Sequence, residues 1–244
     1  MKMWKDNLRG IYFITLKDMK TYYLKPPTVS WGIIFPVTWV LAFYLRNPQN
    51  FEELVPGLIA MTVIFSTTAA EAVVINLELR LRSLERLLLA PVSLPSVLLG
   101  KVLGGFLFGL IMAVIITAGS ALFLDVHINV LYFLLILIPS LLVFTSLGAL
   151  ICVMVKEVFE AQTLLNLPRF LMIFLCGVIY PVSAMPQVLQ YIAYFLPLTY
   201  TVDGFRQALG TSGSIPVIVD ILVLIVFIPL LILPAIKLLA KKFE

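Results

Sequence analysis

The sequence predicts an all-α membrane protein with six transmembrane helices, on three observations. Mean hydropathy is +1.09, only 12% of the 244 residues are charged while 61% are hydrophobic, and the apolar residues fall in runs of membrane length. Soluble domains carry about a quarter charged residues, so a soluble enzyme or nucleic-acid-binding module is excluded. The 17 Lys and Arg against 13 Asp and Glu set orientation before they attract nucleic acid. Cys152 and Cys176 sit inside apolar runs, as small hydrophobes rather than a disulfide.

Residues 1–28 come first. Trp4, Leu8, Ile11, Tyr12, Leu16, Met19 and Tyr23 recur at three- and four-residue steps, with Lys5, Arg9, Lys17 and Lys20 elsewhere. That pattern is an amphipathic helix lying in the membrane interface, a simple anchor or a regulatory element. Its interspersed charges do not resemble a cleavable signal peptide.

Residues 29–244 hold the spans. About 20 apolar residues cross a ~30 Å hydrocarbon core, and six segments qualify: 29–45 (kinked by Pro36), 54–77, 97–124, 130–155, 161–182 and 215–236. Fourteen of the seventeen cations lie on one side of these spans, Arg46 and Arg206 on the other, and Arg169 within the fifth. By the positive-inside rule both termini are cytoplasmic.

Between spans two and three, at about 78–95, Leu79, Leu81, Leu84, Leu87 and Leu88 alternate with Arg80, Arg82, Glu85 and Arg86, and Pro91 and Pro95 then turn the chain back. Such a cytoplasmic elbow either fixes topology or seats a short helix in a partner's groove. His127, in the turn after span three, is alone, without a metal-ligand spacing. Between spans five and six, at about 183–208, Pro186 and Pro197 divide an aromatic stretch too short to cross. Two re-entrant or interfacial helices on the outer face fit it, given protein around them.

Ionisable groups inside a bilayer are functional candidates by default. Glu71 lies ~9 Å deep in span two and Arg169 ~12 Å deep in span five, at 1.5 Å per residue. The two either pair, within a protomer or across a dimer, or stand separately. Ser66, Thr67 and Thr68 in span two and Asn166 in span five add polarity, making these spans the candidate lining of a substrate route or a hydroxyl-mediated helix contact. Lys101 is expected to snorkel. Gly100/Gly104 and Gly105/Gly109 in span three read as helix-packing pairs.

The order Arg80, Glu85, Arg86, Leu87, Pro91, Val92, Ser93, then Gly100–Lys101, resembles the signature of ABC-2 type transport permeases. So does the run Gly177–Gln190 (GVIYPVSAMPQVLQ), followed by Leu196–Arg206 with Pro197, Tyr200, Asp203 and Arg206. The resemblance covers the whole chain. It implies the transmembrane subunit of an ATP-driven exporter in a prokaryotic cytoplasmic (inner) membrane. Two copies would pair, each docking one separate ATPase subunit on the coupling helix with Arg80, Arg82, Glu85, Arg86 and Pro91. ATP and Mg would sit on that partner, with no cofactor, metal or catalytic residue here. The residues agree: a Walker A loop needs G-x-x-x-x-G-K-[ST], whereas Gly100–Lys101 has Pro95 in place of the first Gly and Val102 after it. The apolar spans suit an amphipathic or lipid-linked substrate. A proton-coupled carrier using Glu71 is the alternative, although no Gly/Pro-broken helices recur in matching halves. An intramembrane enzyme lacks its motifs.

Overall fold

In the computed structural model the described residues are 2–26, 28–29, 34, 37–39, 41–42, 45, 53–81, 83, 92–124, 128–155, 157–211 and 213–242. Among them every regular element is a helix. Helix α1 (Lys2–Asp18) runs into a five-residue π-helical turn, Met19–Tyr23. There follow α2 (Val55–Arg80), α3 (Leu94–Leu124), α4 (Val130–Met154) and α5 (Val158–Leu175). A 3-10 turn at Val182–Ala184 leads to two short helices, α6 (Gln187–Tyr194) and α7 (Pro197–Ala208), and to α8 (Val217–Lys241).

Among the described residues five helices are long and apolar enough to cross a membrane: α2 over Val55–Glu78, α3 over Leu94–Leu122, and the whole of α4, α5 and α8. The expected first span, 29–45, lies largely outside the described residues, as do His127 and the elbow residues Arg82, Glu85, Arg86 and Pro91. Arg80 ends α2, with its side chain outside the description.

Helix α2 is the hub of the bundle, packed on α3, α4, α5 and α7. Its Leu58, Ile59, Met61 and Ile64 join Ile136, Leu137, Phe144, Leu198 and Phe205 in the main core. Helix α8 packs on α4 and α7, and α1 on α3. The opposite faces of α3 and α5 expose Leu107, Ile111 and Ile115, and Leu164, Leu167, Phe170 and Phe174, as helices facing lipid or another chain do.

Several helix bounds differ from expectation. Helix α3 begins at Leu94, so Pro95 lies in a first turn, where its missing N–H costs no helix bond. Helix α5 starts at Val158 and stops at Leu175, seven residues before the expected end, because the chain reverses at Gly177 with φ +81°, a conformation glycine adopts without steric cost. Helix α8 continues to Lys241 through Pro229 and Pro234.

Candidate functional site

Four charges meet at the elbow end of α2. Lys101 of α3 donates to Glu78 of α2 at 2.6 Å and to Asp18 of α1 at 3.3 Å. Lys17 pairs with Glu78 and lies 3.1 Å from Asp18 Oδ1, the latter a charge contact without an aligned hydrogen bond. The side chains of Asp18, Glu78 and Lys101 are at most 1% exposed. Lys101 therefore does not snorkel. Two carboxylates hold it inside, because a buried ammonium is stable only when paired and hydrogen-bonded. Burial raises the Asp18 pKa above its ordinary value, against the pull of Lys101 and Lys17. Burial pulls Lys17 down, but Glu78 and Asp18 together outweigh it and raise its pKa.

Helix α1 is thereby keyed to both feet of the elbow. Asn7 Oδ1 accepts from the Ser93 amide at 2.9 Å, and the Thr15 hydroxyl donates to the Gly100 carbonyl at 2.7 Å. Gly100 and Gly104 face Ile14 and Tyr23 respectively, so this small-residue pair seats α1 rather than another span. The π turn then carries Tyr23 into the bundle, stacked on Phe108 and fully buried. A π turn adds a residue to the helical repeat, and such bulges recur at functional sites.

Glu71 lies deeper on the same side of α2. Among the described residues its Oε1 receives a long bond, 3.4 Å, from the Tyr23 hydroxyl, and Oε2 has no hydrogen-bond partner. Gly105 and Gly148 close the crevice: a Cβ on Gly105 would overlap Oε1, and one on Gly148 would come 3.1 Å from the Glu71 Cβ.

Arg169 sits on another side of α2, 3% exposed. Its Nε donates to Thr68 Oγ1 at 2.7 Å, and Nη1 donates to Asn166 Oδ1 at 3.0 Å and Gln162 Oε1 at 3.5 Å. The guanidinium lies 5.3 Å from the Phe65 ring centroid, and Nη2 has no acceptor among the described residues. The structure does not join Glu71 to Arg169 within the protomer; each has its own surroundings. Of the three adjacent hydroxyls, Ser66 and Thr67 bond back to carbonyls of α2 and pack beside Gly109 of α3. Only Thr68 reaches α5.

At the opposite end of α2, Pro186 and Pro197 precede and open the two short helices. Tyr200 donates to the Tyr194 carbonyl at 2.7 Å, tying α7 to α6. Asp203 accepts from the Ser214 amide and hydroxyl at 2.8 and 2.9 Å and from the Ile215 amide at 3.0 Å, fixing the start of α8. Arg206 donates to the Gly177 carbonyl at 2.7 Å. Glu53, Asp203, Arg206 and Ser214 line a cavity of about 580 Å³ there.

The sequence profile of the ABC-2 type transporter family matches residues 9–209, from the middle of α1 to the residue after α7. The chain belongs to that family. Inner membrane transport permease YadH of Escherichia coli K12 is 29% identical over 212 residues, 84% of this chain and 82% of that protein. Nodulation protein J of Bradyrhizobium diazoefficiens is 27% identical over 230 residues, 87% of this chain and 81% of that protein. A probable multidrug ABC transporter permease, YbhS of Escherichia coli K12, is 28% identical over 196 residues, 78% of this chain but about half (51%) of that protein. This ABC-2 type protein is thus a multi-pass membrane transport permease. Sequence reading singled out Glu71 and Arg169 but missed Tyr23 and Gln162 as their neighbours, and Asp18 and Glu78 as the partners of Lys101. The one available signal was acidic residues, Asp18 and Glu78, placed next to the membrane beside cations.

Proposed function

We propose that this permease is the transmembrane half of an ATP-driven exporter, carrying an amphipathic or lipid-linked substrate outward from the cytoplasm or inner leaflet. Two copies pair, and each receives a separate ATPase subunit, which holds ATP and Mg, on the elbow with Arg80, Arg82, Glu85, Arg86 and Pro91. Both termini face the cytoplasm, α1 rests in that interface, and the α6–α7 pair forms the re-entrant outer segment. The route runs along the polar contact of α2 with α5, at Thr68, Asn166 and Arg169.

The observation that carries this reading is the grip of α1, Glu78 and Lys101 on both feet of the elbow. A loop that merely fixed topology would need no buried ion pairs beneath it. A loop pushed by a partner does, because movement at the elbow then reaches α2 and α3 together. Reconstitution with the candidate ATPase in proteoliposomes tests it. ATP-dependent flux that falls in Glu85→Ala/Arg86→Ala, with membrane insertion and dimerisation intact, is expected. Flux driven by a proton gradient without ATP would instead support the carrier alternative.

A further inference from the structure

We propose that Arg169 is the receptor for an anionic headgroup, a phosphate or carboxylate at the polar end of the transported amphipath, an inference that rests on the α2–α5 route above. Arginine stays protonated in proteins, so α5 holds a permanent cation in the membrane. Among the described residues every polar group bonded to it is neutral: Thr68, Asn166 and Gln162, with the Phe65 ring alongside. These contacts orient the guanidinium without compensating its charge. Nη2 is buried with no acceptor among the described residues. Among the described residues no carboxylate lies within ion-pairing distance of Arg169, whereas the equally buried Lys101 has two.

The protein's own acid does not fill this place. Glu71 is three residues beyond Thr68 on α2, but its carboxyl lies against Gly105 and Tyr23, with Gly148 beside its Cβ and Cγ, on the side of α3 and α4. A counter-charge from outside has an approach, since Asn166 is exposed and Gln162 half-buried beside the guanidinium. Apolar surface for the tail adjoins it. Phe170 is 43% and Leu167 70% exposed, and the Phe170 ring lies edge-on to Phe65 at 6.3 Å. A phosphate or carboxylate at Nη2 would gain a charge-assisted bond in a dry setting, where such bonds are strong. A neutral headgroup would leave the cation unpaired, and a cationic one would be repelled.

The test uses the full chain in phosphatidylcholine nanodiscs and three fluorescent amphipaths sharing one twelve-carbon tail: an alkyl phosphate, an alkyl maltoside and an alkyl trimethylammonium. The phosphate is expected to bind roughly tenfold or more tighter than the other two, about 1.4 kcal/mol. Arg169→Gln should abolish that preference and Arg169→Lys should retain part of it. Equal affinities for the three probes in the unaltered chain overturn the proposal without recourse to any variant, and would also follow if a carboxylate of a second copy occupied the guanidinium. Displacement of the phosphate probe by a few per cent of phosphatidylglycerol overturns it too, because bulk lipid would then fill the site. Charge-blind binding alongside intact ATP-driven flux defeats the headgroup assignment alone. Charge-selective, Arg169-dependent binding without ATP-driven flux defeats the exporter reading instead.

Discussion

Lys101 of α3 and Glu78 of α2 face each other at 2.6 Å, both side chains 1% exposed, just where the chain leaves one helix for the elbow and enters the next. Removing one partner of a buried pair costs about 3–5 kcal/mol, while replacing both by apolar groups is often close to neutral. Lys101→Met is therefore expected to lower the detergent melting temperature markedly, because Asp18 and Glu78 would be left with Lys17 alone. Lys101→Met/Glu78→Leu should recover part of the loss, since Lys17 and Asp18 can still pair. A wild-type melting temperature in Lys101→Met would show that the cluster contributes nothing.

Gly104 makes room for Tyr23. A Cβ there would stand 2.8 Å from the Tyr23 ring, in a well-packed site where overpacking costs about 1–3 kcal/mol. Gly104→Val should unseat the end of α1 while leaving α2–α4 folded. Hydrogen exchange read by mass spectrometry should show faster exchange over residues 14–23 and unchanged protection over Val130–Met154. Slow exchange at both would mean that α1 docks without the Tyr23 contact.

The long spans were legible because hydropathy reports burial in lipid directly, and α4 matched to within one residue. Partnerships were harder to read. Lys101 and Arg169 carry the same charge in similar apolar contexts, yet one is enclosed by carboxylates and the other by amides and a hydroxyl. That difference depends on the crossing of α1 over α3, which period-3.6 patterning does not contain. Amphipathicity marked Tyr23 as an interfacial aromatic; the π turn that swings it into the bundle leaves no pattern in composition. The early stop of α5 at Leu175, before the reversal at Gly177, was hidden because the residues that follow, Val178 and Ile179, remain apolar.

Lys17 should give the anchoring of α1 a pH dependence at the alkaline end. Its folded pKa lies above the ordinary 10.5, so the folded state keeps a proton that the unfolded chain releases. The stabilisation is complete below pH 10.5 and is lost as pH rises through the folded value. Asp18, raised from 3.8 by burial, is common to the two proteins compared. Melting curves followed by tryptophan fluorescence at pH 9 and 11 should show a larger loss in the wild type than in Lys17→Met. The other titratable groups are unchanged in Lys17→Met, so an identical loss would remove Lys17 from the account.

The proposed orientation rests on the positive-inside distribution and is open to labelling. A cysteine at Gln187, on exposed α6 surface, should react with an impermeant thiol reagent added to intact cells, and one at Ser83 should not. The buried Cys152 and Cys176 are first replaced by Ala to silence the background. External labelling at position 83 would invert the topology and with it the side assigned to the ATPase.

Glu71 and Arg169 provide the sharpest comparison between pattern and geometry, since their matched depths invite a pair that the protomer does not make. If they were partners, either single change would strand a buried charge and the double change would restore stability. The structure gives them separate environments: Tyr23, Gly105 and Gly148 around the acid, Thr68, Asn166, Gln162 and Phe65 around the base. Glu71→Leu and Arg169→Leu should then act independently, adding to within about 0.5 kcal/mol in the double variant, as separated sites do. Chemical or thermal unfolding of the four proteins in one detergent measures this. A coupling energy of about 2 kcal/mol or more, with the double variant more stable than either single, would mean that the two charges meet, across the dimer or in another state of the transport cycle.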